Sequence, residues 1–146
     1  MFDFMRRILG KRIIPPGYVK GFNVMDEYVR TPPSSQLAVD LFKGEWSCRF
    51  PDSFGVQVSG TVPAFEDPRV KWALEQMGGV RGQRVLELGP LEGGHMYMLE
   101  QAGADHVLSV EANKRAYMKC LIAKEITGVT KGRFLLGDFN EYMKGT

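Results

Sequence analysis

The chain has 146 residues, 44% of them hydrophobic and 25% charged, with a net charge of +2. That composition suits one ordinary globular domain, with a core that buries roughly 70% of its unfolded surface, and the charge is too small to argue for nucleic acid as a partner. No apolar run reaches the ~20 residues of a membrane span; residues 1–14 are basic but lack the apolar stretch of a secretory signal; and Cys48 and Cys120, far apart and in no partner motif, read as two reduced thiols of a cytoplasmic protein.

Two regions differ in texture. Residues 1–64 are rich in proline, glycine and aromatics and only weakly periodic, an N-terminal extension, whereas residues 65–146 alternate helix and strand signals in a βαβ rhythm. Phe2, Met5 and Leu9 share a face and predict a short helix over 1–9, ended by Pro15-Pro16-Gly17. Pro32-Pro33-Ser34-Ser35 is a second break, and Leu37, Val39, Leu41 and Phe42 predict another short helix over 35–43. Asp67-Pro68 is a helix start, with Asp67 as N-cap and Pro68 in the first turn; Val70, Leu74 and Met77 make its apolar stripe, and Gly78-Gly79 ends it. A strand is expected over 84–88, a helix over 94–102 with Met96 and Leu99 inward and Gly103 as its stop, and a strand over 106–110. A helix from Asn113 to Gly128 should turn Ala116, Tyr117, Cys120 and Leu121 inward and leave Lys114, Arg115, Lys119 and Glu125 on a solvated face. A third strand follows over 133–136, then Gly137-Asp138.

The most informative stretch is residues 82–94, GQRVLELGPLEGG. An apolar strand carrying one carboxylate, Glu87, runs into a glycine loop and then directly into a helix. Glycine is required where a chain turns sharply or a ligand meets bare backbone, and the helix start offers unpaired N–H groups to an anion. Glu87, two residues before Gly89, would repel a pyrophosphate but suits an ammonium or hydroxyl group. The stretch resembles motif I of the class I S-adenosylmethionine-dependent methyltransferases, acidic-x-Gly-x-Gly-x-Gly. Aligned on Glu87, the first glycine is Gly89 and the third is Gly93; Leu91 replaces the middle one, and Pro90 shapes the loop.

The second strand ends in Glu111, 24 residues after Glu87, where nucleotide-binding α/β folds place a carboxylate that accepts from both ribose hydroxyls. The third ends in Asp138-Phe139, where the resemblance implies an acidic acceptor for the adenine amine and an apolar neighbour against the ring. The implied cofactor is S-adenosylmethionine, held by Glu87, Gly89, Pro90, Leu91, Gly93, Glu111, Asp138 and Phe139. The bland readings are a surface carboxylate for Glu87, a tight turn for the glycines, a cap for Glu111 and a turn pair for Gly137-Asp138. His95 either lines the cofactor's methionine end or is a surface histidine. No Cys, His or carboxylate spacing supports a metal.

The resemblance implies an α/β fold, a Rossmann-like parallel sheet with flanking helices. It covers residues 65–143 and stops after the third of the family's seven strands, so the expectation is an incomplete half of that fold: residues 65–146 as a partial cofactor domain, and residues 1–64 as an extension over it in which Trp46, Phe50 and Phe54 are either an aromatic lid or core. Strand 133–136 would then be an apolar edge that calls for cover, from residues 1–64, whose pattern shows none, or from a partner chain or self-association. The reaction implied is methyl transfer to an unidentified acceptor, with no nameable catalytic residue. Two alternatives remain: a fold kept for ligand binding or interaction without turnover, and a dinucleotide-binding oxidoreductase. The second would want Gly-x-Gly-x-x-Gly and would set Glu92 beside the pyrophosphate.

Overall fold

The computed structural model describes residues 27–145; the helix expected over 1–9 and the break at 15–17 lie outside them. The compact unit from Pro33 onward holds the whole of the candidate site. Its first helix, α1 (Ser35–Asp40), starts where the Ser34 hydroxyl accepts from the Leu37 N–H. Val39 and Phe42 go into the core and Leu41 stays out. A winding segment follows, pinned by a bridge between Cys48 and Val62 and by short 3-10 turns at Asp52–Phe54 and Ala64–Glu66.

From there the expected rhythm holds. Helix α2 (Pro68–Gln76) begins at Asp67, whose carboxylate accepts from Arg69 N–H. Strand β1 (Arg84–Leu88), helix α3 (Gly94–Gln101), strand β2 (His106–Glu111), helix α4 (Lys114–Thr127), strand β3 (Gly132–Leu136) and a short helix α5 (Phe139–Lys144) complete it. Helix α4 is capped by the Asn113 side chain and ends on Gly128 in the left-handed conformation. Helix α5, absent from the sequence reading, starts because Asp138 Oδ1 accepts from the N–H groups of Asn140 and Glu141.

The three strands pair in parallel, in the order β1-β2-β3, with Glu87 opposite Ser109 and Glu111 opposite Leu136. Parallel strands need crossover helices, and α3 and α4 serve here. This is the expected fold class, a partial Rossmann-like parallel sheet with flanking helices. The edge expectation was incomplete: β1 as well as β3 pairs only with β2 among the described residues. Leu86 and Leu88 on β1 and Leu136 on β3 are exposed.

Two apolar clusters hold the unit together. One lies between sheet and helices, built from Val80, Met96, Leu99, Ala104, Val107, Cys120, Val129 and Phe134. The other joins the winding segment to α3 and α4, through Val39, Phe42, Trp46, Cys48, Phe50, Val56, Ala64, Phe65 and Ala123, with Phe54 and Tyr97 beside it. Phe50 stacks on Phe65 at 4.6 Å and meets Trp46 edge-on at 5.3 Å. Trp46 and Phe50 are therefore core, packed by complementary ring geometry.

The two clusters meet where α3 starts. Gly94 lies so close to the 3-10 turn that a Cβ would stand 2.6 Å from the Ala64 carbonyl carbon. Gly94→Ala should cost about 1–3 kcal/mol by overpacking, read as a lower urea midpoint with an unchanged m-value; a midpoint equal to wild type would show that α3 moves freely away from residues 63–65.

Candidate functional site

The loop between β1 and α3 sits at the carboxyl ends of the strands, where open α/β sheets bind ligands. Gly89 continues the sheet, its N–H bonded to the Val110 carbonyl at 3.0 Å, and the space where its side chain would be is open. Pro90 is buried. Leu91 stands where the resembled motif has its middle glycine and keeps a glycine's conformation, with φ +57°; it is the one non-glycine residue with positive φ among those described. Left-handed backbone costs a side-chain-bearing residue about 1–3 kcal/mol and persists only when the surroundings impose it. Here Leu91 N–H donates to Glu111 Oε2 at 3.1 Å. Gly93 caps α3 with φ +82° and lies buried beneath Phe134 and Cys120, where it shapes the turn.

Glu92, which the dinucleotide alternative would set beside a pyrophosphate, is engaged inside the protein instead. Its side chain is fully buried and turns away from the strand ends. It accepts from Ser47 N–H at 3.0 Å and Cys48 N–H at 2.7 Å, and forms an ion pair with Lys119. Burial pushes its carboxyl up, but Lys119 and the two N–H groups outweigh it and hold it below the usual carboxylate range. The same pair corrects the reading of α4: Lys119 is buried, donates also to the Glu45 carbonyl at 2.8 Å, and lies over the Trp46 ring, while Leu121, expected inside, is exposed. Burial first, then the nearby Glu92 charge, pushes the Cys48 thiol far up, and burial does the same to Cys120. Both stay free, buried thiols without thiolate character.

Glu111 is buried and doubly engaged, through Leu91 N–H and through Asn113 N–H on Oε1 at 2.7 Å. Each carboxylate oxygen still has acceptor capacity. Asp138 caps α5 through Oδ1, and Phe139 is the first residue of that helix. Glu87 is the site's unusual member. Ser109, its register partner on β2, donates to Oε2 at 2.6 Å. Oε1 is buried with no hydrogen-bond donor, and His95 Nδ1 lies 3.5 Å from it, within ion-pair distance. His95 Nε2 in turn lies 3.0 Å from Asp67 Oδ2, so the imidazole stands between two carboxylates. Glu87, then Asp67, raises its pKa above the ordinary histidine value against the opposing pull of burial. The Arg69 guanidinium, above all, holds the Asp67 carboxyl well below the usual range, helped by Arg69 N–H and His95.

The structure therefore brings Glu87, Gly89, Leu91 and Glu111 to one rim, sets Asp138 and Phe139 at the end of β3, and places Pro90 and Gly93 beneath it. Sequence reasoning missed Ser109, Asp67 and the buried Lys119. A lone serine in the apolar run HVLSV was the available signal for the first; nothing in the spacing of the others announced a contact. Beside Glu87 and His95 a cavity of about 380 Å³ opens between α2 and β1, walled by Val70, Ala73, Leu74 and Leu99. Among the described residues no cluster of three or more His, Cys, Asp or Glu could hold a metal, and no helix is long and apolar enough to cross a membrane.

Two substitutions test this geometry. Leu91→Gly should raise stability by about 1 kcal/mol, because the strain released exceeds the ~0.5–1 kcal/mol of added chain entropy; a loss in urea denaturation would show the loop is unstrained. Lys119→Met leaves Glu92 buried and uncompensated, a loss of about 3–5 kcal/mol at neutral pH. In the wild type the depressed Glu92 pKa contributes stability that is present above the unfolded value of about 4.3 and is lost as pH falls through the folded one. Without Lys119 the folded pKa rises above the unfolded value, so the deficit should shrink on acidification to about pH 5. Denaturant curves at both pH values check the sign.

No protein-family model matches the chain, and no curated protein does. Solved structures do resemble it. The N-terminal domain of EvdMO1, in a crystal structure with SAH and D-fucose, aligns over 73% of this chain at 22% identity with a TM-score of 0.56. The same domain with SAH bound aligns over 73% at 24% identity, TM-score 0.56. EvdMO1 itself aligns over 73% at 21% identity, TM-score 0.50. The chain spans 44% and 45% of the two N-terminal domain structures and 24% of EvdMO1. At these identities the likeness is one of fold, and it agrees with the Rossmann-like half-sheet described above.

Proposed function

We propose that this chain provides the cofactor-binding half of an S-adenosylmethionine-dependent methyltransferase. One observation carries the reading. At the end of β1, beside a glycine loop with open space above it, a nine-tenths-buried carboxylate keeps one oxygen without a donor. A buried acceptor left unpaired costs about 1–3 kcal/mol, and a ligand ammonium at Glu87 Oε1 removes that cost. The SAH-bound fold likeness supports the same ligand, SAH being the demethylated cofactor.

In this reading Glu87 takes the amino-acid ammonium, and the Gly89-Pro90-Leu91 backbone runs along the methionine chain. Glu111 accepts from the ribose diol, and Asp138 and Phe139 face the adenine. When bound, the cofactor supplies an electrophilic methyl on a sulfonium. The chain's own residues orient it and exclude water, the main work of such a displacement. Against the dinucleotide alternative, Glu92 no longer counts, because it is buried and structural, but Glu87 does: its unpaired oxygen would repel a pyrophosphate at the loop. The open edge of β1 and the exposed Leu86, Leu88 and Leu136 support a division of labour. The acceptor side, and the cover for this face, would then come from polypeptide outside the described residues, in the same chain or a partner. The buried free thiols are consistent with a reducing, cytoplasmic compartment.

Calorimetric titration of S-adenosylhomocysteine into the 146-residue chain, with NAD as control, tests the reading; micromolar binding of the first alone is expected. Glu111→Ala should weaken it by about 1–3 kcal/mol. Because Glu111 also holds Leu91 N–H, the comparison is made with folding verified by denaturation. No binding by the folded wild-type chain would overturn the proposal.

A further inference from the structure

His95 belongs to no motif used above, yet its environment is specific. It sits in the first turn of α3, with one nitrogen 3.0 Å from Asp67 at the start of α2 and the other 3.5 Å from Glu87 at the end of β1. Its side chain is 32% exposed, so its proton can exchange with solvent, whereas those of Glu87 and Asp67 are 10% and 4% exposed. The charged groups facing this point are Glu87 from β1 and Asp67 and Arg69 from α2, Arg69 reaching Asp67 at 2.6 Å from an exposed position. With His95 protonated the four groups sum to zero: two carboxylates, one guanidinium, one imidazolium. The oxygen that His95 Nδ1 approaches is Glu87 Oε1, the one without a hydrogen-bond donor.

We propose that His95 is the positioning residue of the cofactor's ammonium, and that its proton and the ammonium compete for Glu87 Oε1. This rests on the assignment of Glu87 made above. An incoming ammonium at hydrogen-bond distance from Oε1 would stand within about 6 Å of the imidazolium, close enough for like charge to lower a pKa. It would also take over the carboxylate charge that now sustains the histidine proton. The cluster returns to neutrality by releasing that proton. The N–H on Nδ1 leaves to solvent, no heavy-atom bond changes, and Nε2–H still donates to Asp67, which holds the ring in place. Asp67 thereby fixes the tautomer, as the far partner of a histidine commonly does.

The sign follows from linkage. The pKa of His95 is higher in the free chain than in the complex, so affinity rises with pH between the two values and is flat outside them. It rises at most tenfold per pH unit, with at most one proton released per ligand. Were the imidazolium instead to bind the ligand's carboxylate, affinity would fall with pH over the same range.

Titration of S-adenosylhomocysteine into the 146-residue chain at about pH 6, 7 and 8, in two buffers of different ionisation enthalpy, reads both quantities. Wild type should bind several-fold more tightly at the top of the range than at the bottom and release protons. His95→Gln should bind with a flat profile and without proton release. Because that variant also loses the Asp67 and Glu87 contacts at the start of α3, the ring of His95 is followed by NMR in the wild type as well, with and without ligand; its pKa should drop on binding. Binding that is independent of pH with no proton exchange, or that weakens as pH rises, overturns the role given to His95 and leaves the cofactor reading standing. Absence of binding at every pH overturns the cofactor reading, and this proposal with it.

Discussion

The structure depends on one buried ion pair. Glu92, in the loop after β1, sends its carboxylate into the interior. There Lys119 and two backbone N–H groups from residues 47 and 48 meet it. Burying two charges costs several kcal/mol per ion unless the remaining acceptor and donor capacity is also met. It is met here: Glu92 accepts from three donors, and Lys119 donates again to the Glu45 carbonyl. The pair therefore fixes three separate pieces of chain at once: the loop after β1, the middle of α4, and the winding segment that carries Trp46 and Phe50.

That constraint explains the form of the rim. With Glu92 anchored inward and Gly93 turned into the start of α3, the chain between Gly89 and Glu92 has little freedom, and Leu91 is forced into the left-handed region that the resembled motif gives to glycine. Glu111 compensates by accepting the Leu91 N–H. The loop is thus held from below by an ion pair and from the side by a carboxylate, and its backbone is presented outward. Glycine at this position would reach the same geometry without strain; leucine reaches it only because its neighbours insist.

Around Glu87 the balance differs. Glu92, Glu111 and Asp67 each have both carboxylate oxygens hydrogen-bonded, whereas Glu87 has only one. Ser109 satisfies one oxygen and the other faces a histidine at ion-pair distance. Unsatisfied polar atoms are rare in native interiors, and each one calls for an explanation. Glu92 and Glu87 stand five residues apart and differ in kind: the first has its charge answered by the protein, and the second keeps one oxygen that no protein donor meets.

Local chemistry alone determined the elements. Asp67-Pro68, Asn113 and Gly128 start and stop helices through caps made within a few residues, and the apolar runs at 84–88, 106–110 and 133–136 are strands because their neighbours in sequence are turns. The strand-end positions of Glu87, Glu111 and Asp138 follow from the same pattern, and so does the half-sheet. What the sequence did not determine was partnership across distance. Lys119 looks like any lysine on a polar helix face until the fold lays Glu92, 27 residues away, against it, and His95 looks like a surface residue until α2 and β1 bring Asp67 and Glu87 to its two nitrogens. Helical periodicity assigns a face by polarity, and a buried charge violates that assignment whenever a partner offsets its desolvation. The tertiary structure decides which charges are buried, because only there is the partner present.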